Sequence, residues 1–477
     1  MKKVINIINT ILIPIKLIFA VLLIFVSFEY LNKVFINKDV SYGNDFRALP
    51  ENSIDVLVLG SSDAQYSFVP SFFYEDTGLY SYIIGTPCQP LEVSYEMFKE
   101  ALKTQKPKLL VLEVFTAMPL RSICEDDVCY VVSQYQMTGR EKYNTIDYLP
   151  EEKAKEYKND FMNYHNDWRT RNDYDSLLPS KVLFPQYKID DLFGYVYQYG
   201  GYNSENNYWL PTQYSEDIEI ELDQLDLISL NNINDLCKSN NIELLLYKTP
   251  IDGITQEDQS TLHKVWDWAD KNDVKYIDYI PLAKDLKFYM QIHSDAFHCN
   301  INGASMLTGY MADFINDNYE IEHTQNSMLD QLYKNNVWQL SKDAIETEYN
   351  PLVYLKRLKN TEGIIALRYS PKTTQQIKEG LYNSICEMGY SYFDIKYNYY
   401  AIIKDGALVC ESNEPIEYRI DDKKIIINDS EIKVGDLSYD VFSNISIVYS
   451  NLKDDICKDI DYIPFPWDYG KDVYIVE

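Results

Sequence analysis

A three-layer α/β fold, with a parallel sheet between two layers of helices, is predicted for the central part of this 477-residue chain, and three observations predict it. Short, continuous apolar runs recur at Val56–Leu59, Tyr82–Ile84, Leu109–Val114, Ile242–Tyr247 and Tyr276–Ile280, as strands buried on both faces require. Amphipathic stretches alternate with them: Leu91–Leu102, Leu222–Leu236 and Leu262–Ala269. The alternation is that of βαβ units, whose crossovers place helices on both sides of one sheet. A hydrophobic content of 46%, with 43 Tyr against 17 Gly and 18 Pro, belongs to packed domains rather than to a disordered chain.

The chain opens with Lys2 and Lys3 and then an apolar run from Ile11 to Phe28, interrupted by Pro14, Lys16 and Ser27. About 20 apolar residues span a bilayer, and flanking lysines are retained on the cytoplasmic side. No small-residue cleavage site follows the run. Residues 1–38 are therefore expected to be an uncleaved, single-pass membrane anchor, leaving the bulk of the chain extracytoplasmic. Residues 39–325 form the expected α/β domain, beginning with a short polar stalk. Within it, the stretch from about 121 to 214 is polar and rich in Tyr, Asn and Asp, with a helical patch at Glu151–Arg169. It is expected to be an insertion over the carboxyl edge of the sheet, where ligand-binding loops gather. Residues 326–348 are expected to be a helical linker. Residues 349–477 then predict a smaller α+β domain, β-rich with one early helix at Thr373–Met388. Its expected strands include Gly363–Tyr369, Tyr397–Ile403, Lys424–Ile427 and Ile445–Tyr449.

Charge excludes one class of partner. With 44 basic and 73 acidic residues the formal net charge is −29, and phosphate-backbone binding needs a cationic surface, so nucleic acid is not expected. The eight cysteines are scattered; Cys124 and Cys129 are close enough to close a small loop in an oxidising compartment. No Cys pair accompanies a His pattern with metal-ligand spacing, so neither a metal nor a cofactor is expected.

Two segments far apart in sequence carry the chemistry. The first strand runs into Gly60-Ser61-Ser62-Asp63, a small-residue turn that would expose a hydroxyl at the carboxyl end of the sheet. The second is Asp295-Ala296-Phe297-His298, followed by Asn300 and by Gly303-Ala304 at the start of a helix reaching about Ile315. A serine hydroxyl is a weak nucleophile until a base removes its proton. Of the five histidines, His298 is the best placed to be that base, with Asp295 three residues earlier to fix its tautomer. On these residues the nucleophile is Ser61 or Ser62.

The Gly60-Ser61-Ser62 turn and the Asp295-x-x-His298 string resemble those of the SGNH (GDSL-like) hydrolase superfamily over residues 52–318. The nearest likeness is to its membrane-anchored bacterial branch, which includes alginate O-acetylation and teichoic-acid D-alanylation proteins. The resemblance implies that the nucleophile is Ser62, Ser61 standing where Asp is usual. It also implies an oxyanion site formed by the backbone N–H groups of Ser62 and Gly85, with Gln89 nearby. The third donor of that family is an asparagine, and this chain departs there: Glu113-Val114-Phe115-Thr116 occupies its place. Gly363–Ala366, Tyr400–Gly406 and Ile445–Tyr449 resemble the interleukin-like EMT inducer fold, which implies carbohydrate binding or docking without catalysis.

Together these readings predict an anchored serine acyl (acetyl) transferase or esterase. Its expected substrate is a cell-envelope or capsular polysaccharide or another acyl ester, and its possible partner is a membrane-bound O-acyltransferase. His165 and Trp168 are candidate sugar contacts beside Gln89, against the plainer alternative of a helix surface with one packed Trp. The competing reading is a non-catalytic glycan-binding or scaffold component of a polysaccharide modification or export system.

Overall fold

The computed structural model describes residues 2–35, 45–118, 188–198, 212–251, 253–283, 286, 293–347, 363–371, 396–441, 445–451 and 455–460. The expected helices at Glu151–Arg169 and Thr373–Met388, most of the insertion, and the Cys124/Cys129 pair lie outside the described residues.

Five strands form one parallel sheet in the order β2-β1-β3-β4-β5: β1 (Val56–Gly60), β2 (Ser81–Gly85), β3 (Leu109–Glu113), β4 (Glu243–Lys248) and β5 (Lys275–Asp278). Successive side chains of a strand point to opposite faces, and here both faces are apolar. Val56, Val58, Val111 and Leu245 pack on one side against Phe68, Phe72 and Phe73 and against Ile301, Leu307 and Ile315. Leu57, Leu59, Leu112 and Leu246 pack on the other against Met97, Phe98, Leu230, Ile233, Leu262 and Val265. The helices that flank the sheet are α2 (Ser62–Ser67), which Phe68 follows, α3 (Pro70–Thr77), α4 (Leu91–Ala101), α5 (Gln224–Asn240), α6 (Gln256–Lys271) and α7 (Ile301–Asn318). This is the three-layer arrangement that the apolar runs predict.

Local signals set the boundaries. Helix α6 begins well before Leu262 because Thr255 and Asp258 form a reciprocal capping box. Strand β5 stops at Asp278, short of the expected Ile280, because the Asp278 carboxylate accepts from Ile280 N at 2.9 Å and starts a short helix over Tyr279–Leu282. The turn after β1 leads into two short helices that the periodicity did not reveal. Pro70 at the start of α3 suits a position whose N–H has no helical partner.

The expected linker at 326–348 is a structural member. It forms α8 (Ser327–Thr347), whose Leu329 and Tyr333 belong to the core of the first domain. Tyr74 and Tyr80 both donate to Asp330 at 2.6 Å, and Tyr333 donates to the Ser81 carbonyl. Val337, Trp338, Leu340 and Ala344 join α8 to a core shared with the carboxyl-terminal strands. The amphipathic stripe is thus used at both ends of the helix.

The carboxyl-terminal strands make two antiparallel sheets. One runs β14-β13-β6-β7-β8 and the other β12-β11-β10-β9, where β6 is Ile364–Tyr369, β7 Tyr399–Lys404, β8 Ala407–Ser412, β9 Ile416–Ile420, β10 Lys423–Ile427, β11 Glu431–Val434, β12 Leu437–Asp440, β13 Ile445–Ser450 and β14 Asp455–Ile460. Ala366, Ile402 and Val448 of the first sheet share an apolar cluster with Ile425, Ile427 and Ile432 of the second. Helix α1 (Lys2–Phe35) runs without a break through Pro14, and its described side chains from Leu12 to Phe28 are all exposed. Among the described residues no helix is long and apolar enough to cross a membrane.

Candidate active site

In a parallel sheet of this order the succession of strands reverses between β1 and β3, and the carboxyl ends of those strands border a crevice. Gly60 ends β1 and Glu113 ends β3. A Cβ at Gly60 would stand 2.4 Å from the Glu113 Cβ, so only glycine lets the two strand ends lie side by side. Gly85 ends β2 under the same constraint: a Cβ there would meet Gln65 Cγ at 2.9 Å and the Ser61 carbonyl at 3.0 Å.

The turn Ser61-Ser62-Asp63 is pinned on both sides of its middle residue. Ser61 caps α2, accepting from Asp63 N at 3.2 Å while donating its hydroxyl to Glu113 Oε2 at 2.7 Å. Asp63 accepts from Lys248 Nζ at 2.8 Å and from Thr249 Oγ1 at 2.7 Å, all three side chains being buried. Ser62, between them, turns its hydroxyl the other way. Its Oγ lies 3.0 Å from His298 Nε2.

His298 comes from the loop before α7. His293 and Cys299 bridge as an isolated antiparallel pair, and Ser294 N donates to the His298 carbonyl at 2.8 Å, closing that loop on itself. Asn300 caps α7 by accepting from Asn302 N and Gly303 N. Asp295 Oδ2 lies 2.8 Å from His298 Nδ1, and its Oδ1 accepts from Phe297 N and His298 N at 2.8 and 2.9 Å. Partial burial works to raise the Asp295 carboxyl, but these hydrogen bonds, the His298 one foremost, hold it below the usual carboxylate range. An ionised Asp295 places the imidazole proton on Nδ1 and leaves Nε2 to accept from Ser62. Tyr66 packs on the imidazole with ring centroids 4.4 Å apart, and Phe297 stands beside it, 42% exposed.

Ser62, His298 and Asp295 are thus brought together, and of the two serines it is Ser62 that meets the histidine. Ser61 faces down into the protein. Among the described residues no acceptor meets the Ser62 N–H, whereas the N–H groups of Ser61, Asp63 and Ala64 are all bonded within the turn and its support.

Gln89 does not take the expected substrate-facing place. It is buried, its amide accepting from Thr86 and donating to Ser94, and its carbonyl accepts from Thr116 at 2.8 Å. It braces the segment after β3 instead of presenting a free donor. His165 and Trp168 lie outside the described residues.

The sequence marks Glu113 only as a departure from an asparagine block, shows Asp63 only as the last residue of the serine turn, and assigns Lys248 no role. The available signal was a charged residue ending an otherwise apolar strand, Glu after Leu109–Leu112 and Lys after Leu244–Tyr247. Burial, reinforced by the charge of Asp63 and opposed by Lys248 and by bonds from Ser61, pushes the Glu113 carboxyl up to about 7. Burial likewise pushes the Cys299 thiol up, which makes it a packed apolar group rather than a second nucleophile.

The sequence matches no family model and no curated protein. Among solved structures the chain is similar to a candidate acylhydrolase from Bacteroides fragilis, at 10% identity over 59% of this chain and 97% of that one, with a TM-score of 0.28. It is also similar to a GDSL-like lipase from Bacteroides thetaiotaomicron, at 12% identity over 60% of this chain and 100% of that one, with a TM-score of 0.30.

Proposed function

We propose that this chain is a serine esterase or O-acyltransferase of SGNH type, and the observation that carries the proposal is the Ser62–His298–Asp295 relay. Ser62 Oγ attacks an acyl carbonyl carbon while its proton passes to His298 Nε2, and Asp295 steadies the imidazolium through Nδ1. The oxyanion is received by the Ser62 N–H, which is left over in the turn, and by the Gly85 N–H. The tetrahedral adduct collapses, His298 returns the proton to the departing oxygen, and Ser62 keeps the acyl group. Water then completes hydrolysis, or a sugar hydroxyl completes transfer. No step calls for a metal or a dissociable cofactor.

The acceptor or substrate we propose is a cell-envelope or capsular polysaccharide, the transferred group acetyl, and the working place the outer side of a membrane to which α1 anchors the chain. The exposed apolar side chains of α1 support that placement, because no described part of the chain covers them. A membrane-bound O-acyltransferase is the natural donor-side partner.

The purified chain should release p-nitrophenol from p-nitrophenyl acetate, and Ser62→Ala should reduce that rate to the uncatalysed background. Equal rates for the two proteins would sink the catalytic reading. One observation favours the rival reading, a non-catalytic glycan-binding component: Glu113 replaces the side-chain oxyanion donor and turns inward. That reading requires polysaccharide acylation in cells to survive Ser62→Ala/His298→Ala.

A further inference from the structure

We propose that Glu113 is a positioning residue for Ser62: its carboxylate, seated beneath the turn, fixes Ser61 so that the next residue meets His298, and it does so in the ionised form. The inference rests on the serine reading above.

The geometry is that of an acceptor surrounded by donors. Glu113 Oε2 receives the Ser61 hydroxyl at 2.7 Å and the Ser61 N–H at 3.3 Å, while Oε1 receives the Phe115 N–H at 2.5 Å. Both N–H groups can only donate, and a carboxylate can accept all three bonds. A protonated Glu113 adds an O–H that needs an acceptor, and of its three partners only the Ser61 hydroxyl can turn round to supply one. That hydroxyl also accepts from Asp63 N in the first turn of α2, so reversing it disturbs the cap on which Ser62 sits.

The surroundings resist the charge without abolishing it. Asp63 of α2 faces the same buried space, as do Tyr247 and Lys248 of β4, and the Tyr276 hydroxyl of β5 also feels the Glu113 charge. Lys248 is the one cation among these groups, and it is already bonded to Asp63 and to the Thr249 carbonyl, with the Phe115 ring 5.0 Å from its Nζ. Two carboxylates share one ammonium. Burial and the neighbouring Asp63 charge therefore hold the Glu113 proton into the neutral range, where its ionisation can gate the turn.

The test follows covalent labelling of Ser62 by a fluorophosphonate across pH 5–9 in the full chain. In that reaction the Oγ–P bond forms, the P–F bond breaks and the serine proton leaves through His298. Glu113→Gln is expected to fold, to label about tenfold to a hundredfold more slowly above pH 8, and to lose the Glu113 ionisation from its acid limb, which becomes shallower. Glu113→Asp, which keeps the charge, is expected to restore the steeper limb. Ser61→Ala removes one bond to the ionised form and is expected to move the limb to higher pH; it also serves if Glu113→Gln does not fold. A wild-type rate and limb in Glu113→Gln, or an unmoved limb in Ser61→Ala, overturns the inference while leaving the serine reading intact. A wild-type chain that no fluorophosphonate labels at any pH takes down both.

Discussion

The sheet carries an Asp–Lys–Thr cluster at each end, and the two are built for different work. At the amino end Asp55 accepts from Lys108 Nζ at 2.7 Å, Thr324 Oγ1 at 2.6 Å, and the backbone N–H groups of Tyr80 and Thr324. At the carboxyl end Asp63 accepts from Lys248 and Thr249 at nearly the same distances. The Lys108 side chain is 36% exposed, and Asp55 ties three distant segments together. Lys248 is sealed, and a second carboxylate, Glu113, shares its field. One cluster closes the domain. The other holds the Ser61-Ser62-Asp63 turn in place at an electrostatic cost. Like chemistry, placed at opposite ends of one sheet, serves stability in one case and positioning in the other.

The largest contrast should come from the residues above the carboxyl-end cluster. Ser62→Ala or His298→Ala should lower esterase turnover by about a thousandfold or more, with an unchanged melting temperature. Thr324→Val at the amino end should leave turnover as it was. Loss of activity in Thr324→Val would erase the distinction between the two ends.

Next come the lysines. Lys248→Met strands Asp63 and Glu113 in a dry site, where breaking a buried pair costs on the order of 3–5 kcal/mol, and urea unfolding should show it. Lys108→Met leaves Asp55 with three other donors and a partly wet surface, so about 1 kcal/mol is expected. Equal losses would mean that burial does not separate the clusters.

A smaller effect is expected from pH. The folded protein holds the Glu113 proton more tightly than the unfolded chain, its carboxyl standing at about 7 against a usual 4.5. The stability this contributes is fully present below pH 4.5 and is lost as pH rises through about 7. Glu113→Gln should flatten that part of a pH series of denaturation midpoints. Asp295, held below its usual range, acts in the opposite sense: its contribution is present above its unfolded value and lost as pH falls through the folded one. The two windows are therefore separable.

The smallest effect is at the threonines. Thr249→Val and Thr324→Val should each cost about 0.5–1 kcal/mol for a lost hydrogen bond, and only Thr249→Val should also slow labelling of Ser62.

The parallel sheet was legible because burial on both faces demands continuous apolar runs, as in Val56–Leu59 and Leu109–Leu112. The histidine loop was legible because Asp295 and His298 are close enough in sequence to pair before the fold is known. Helix α8 was underestimated as a linker: Tyr333, Trp338 and Leu340 show an apolar pattern, but the sequence does not say which bodies they join. Gln89 was misjudged for the same reason, since a polar residue near a glycine turn looks alike whether it faces a ligand or braces a loop.

By itself the sequence determined the strand–helix alternation, the Ser and His segments, and the net charge of −29, because each depends on local periodicity, short spacing or composition. Tertiary structure decided which serine meets His298, and that Asp63, Lys248 and Glu113 share one buried field beneath it. Those facts depend on residues from different strands arriving at one sheet edge. Burial then turns ordinary surface side chains into groups whose charge must be shared, and no spacing in the chain records that.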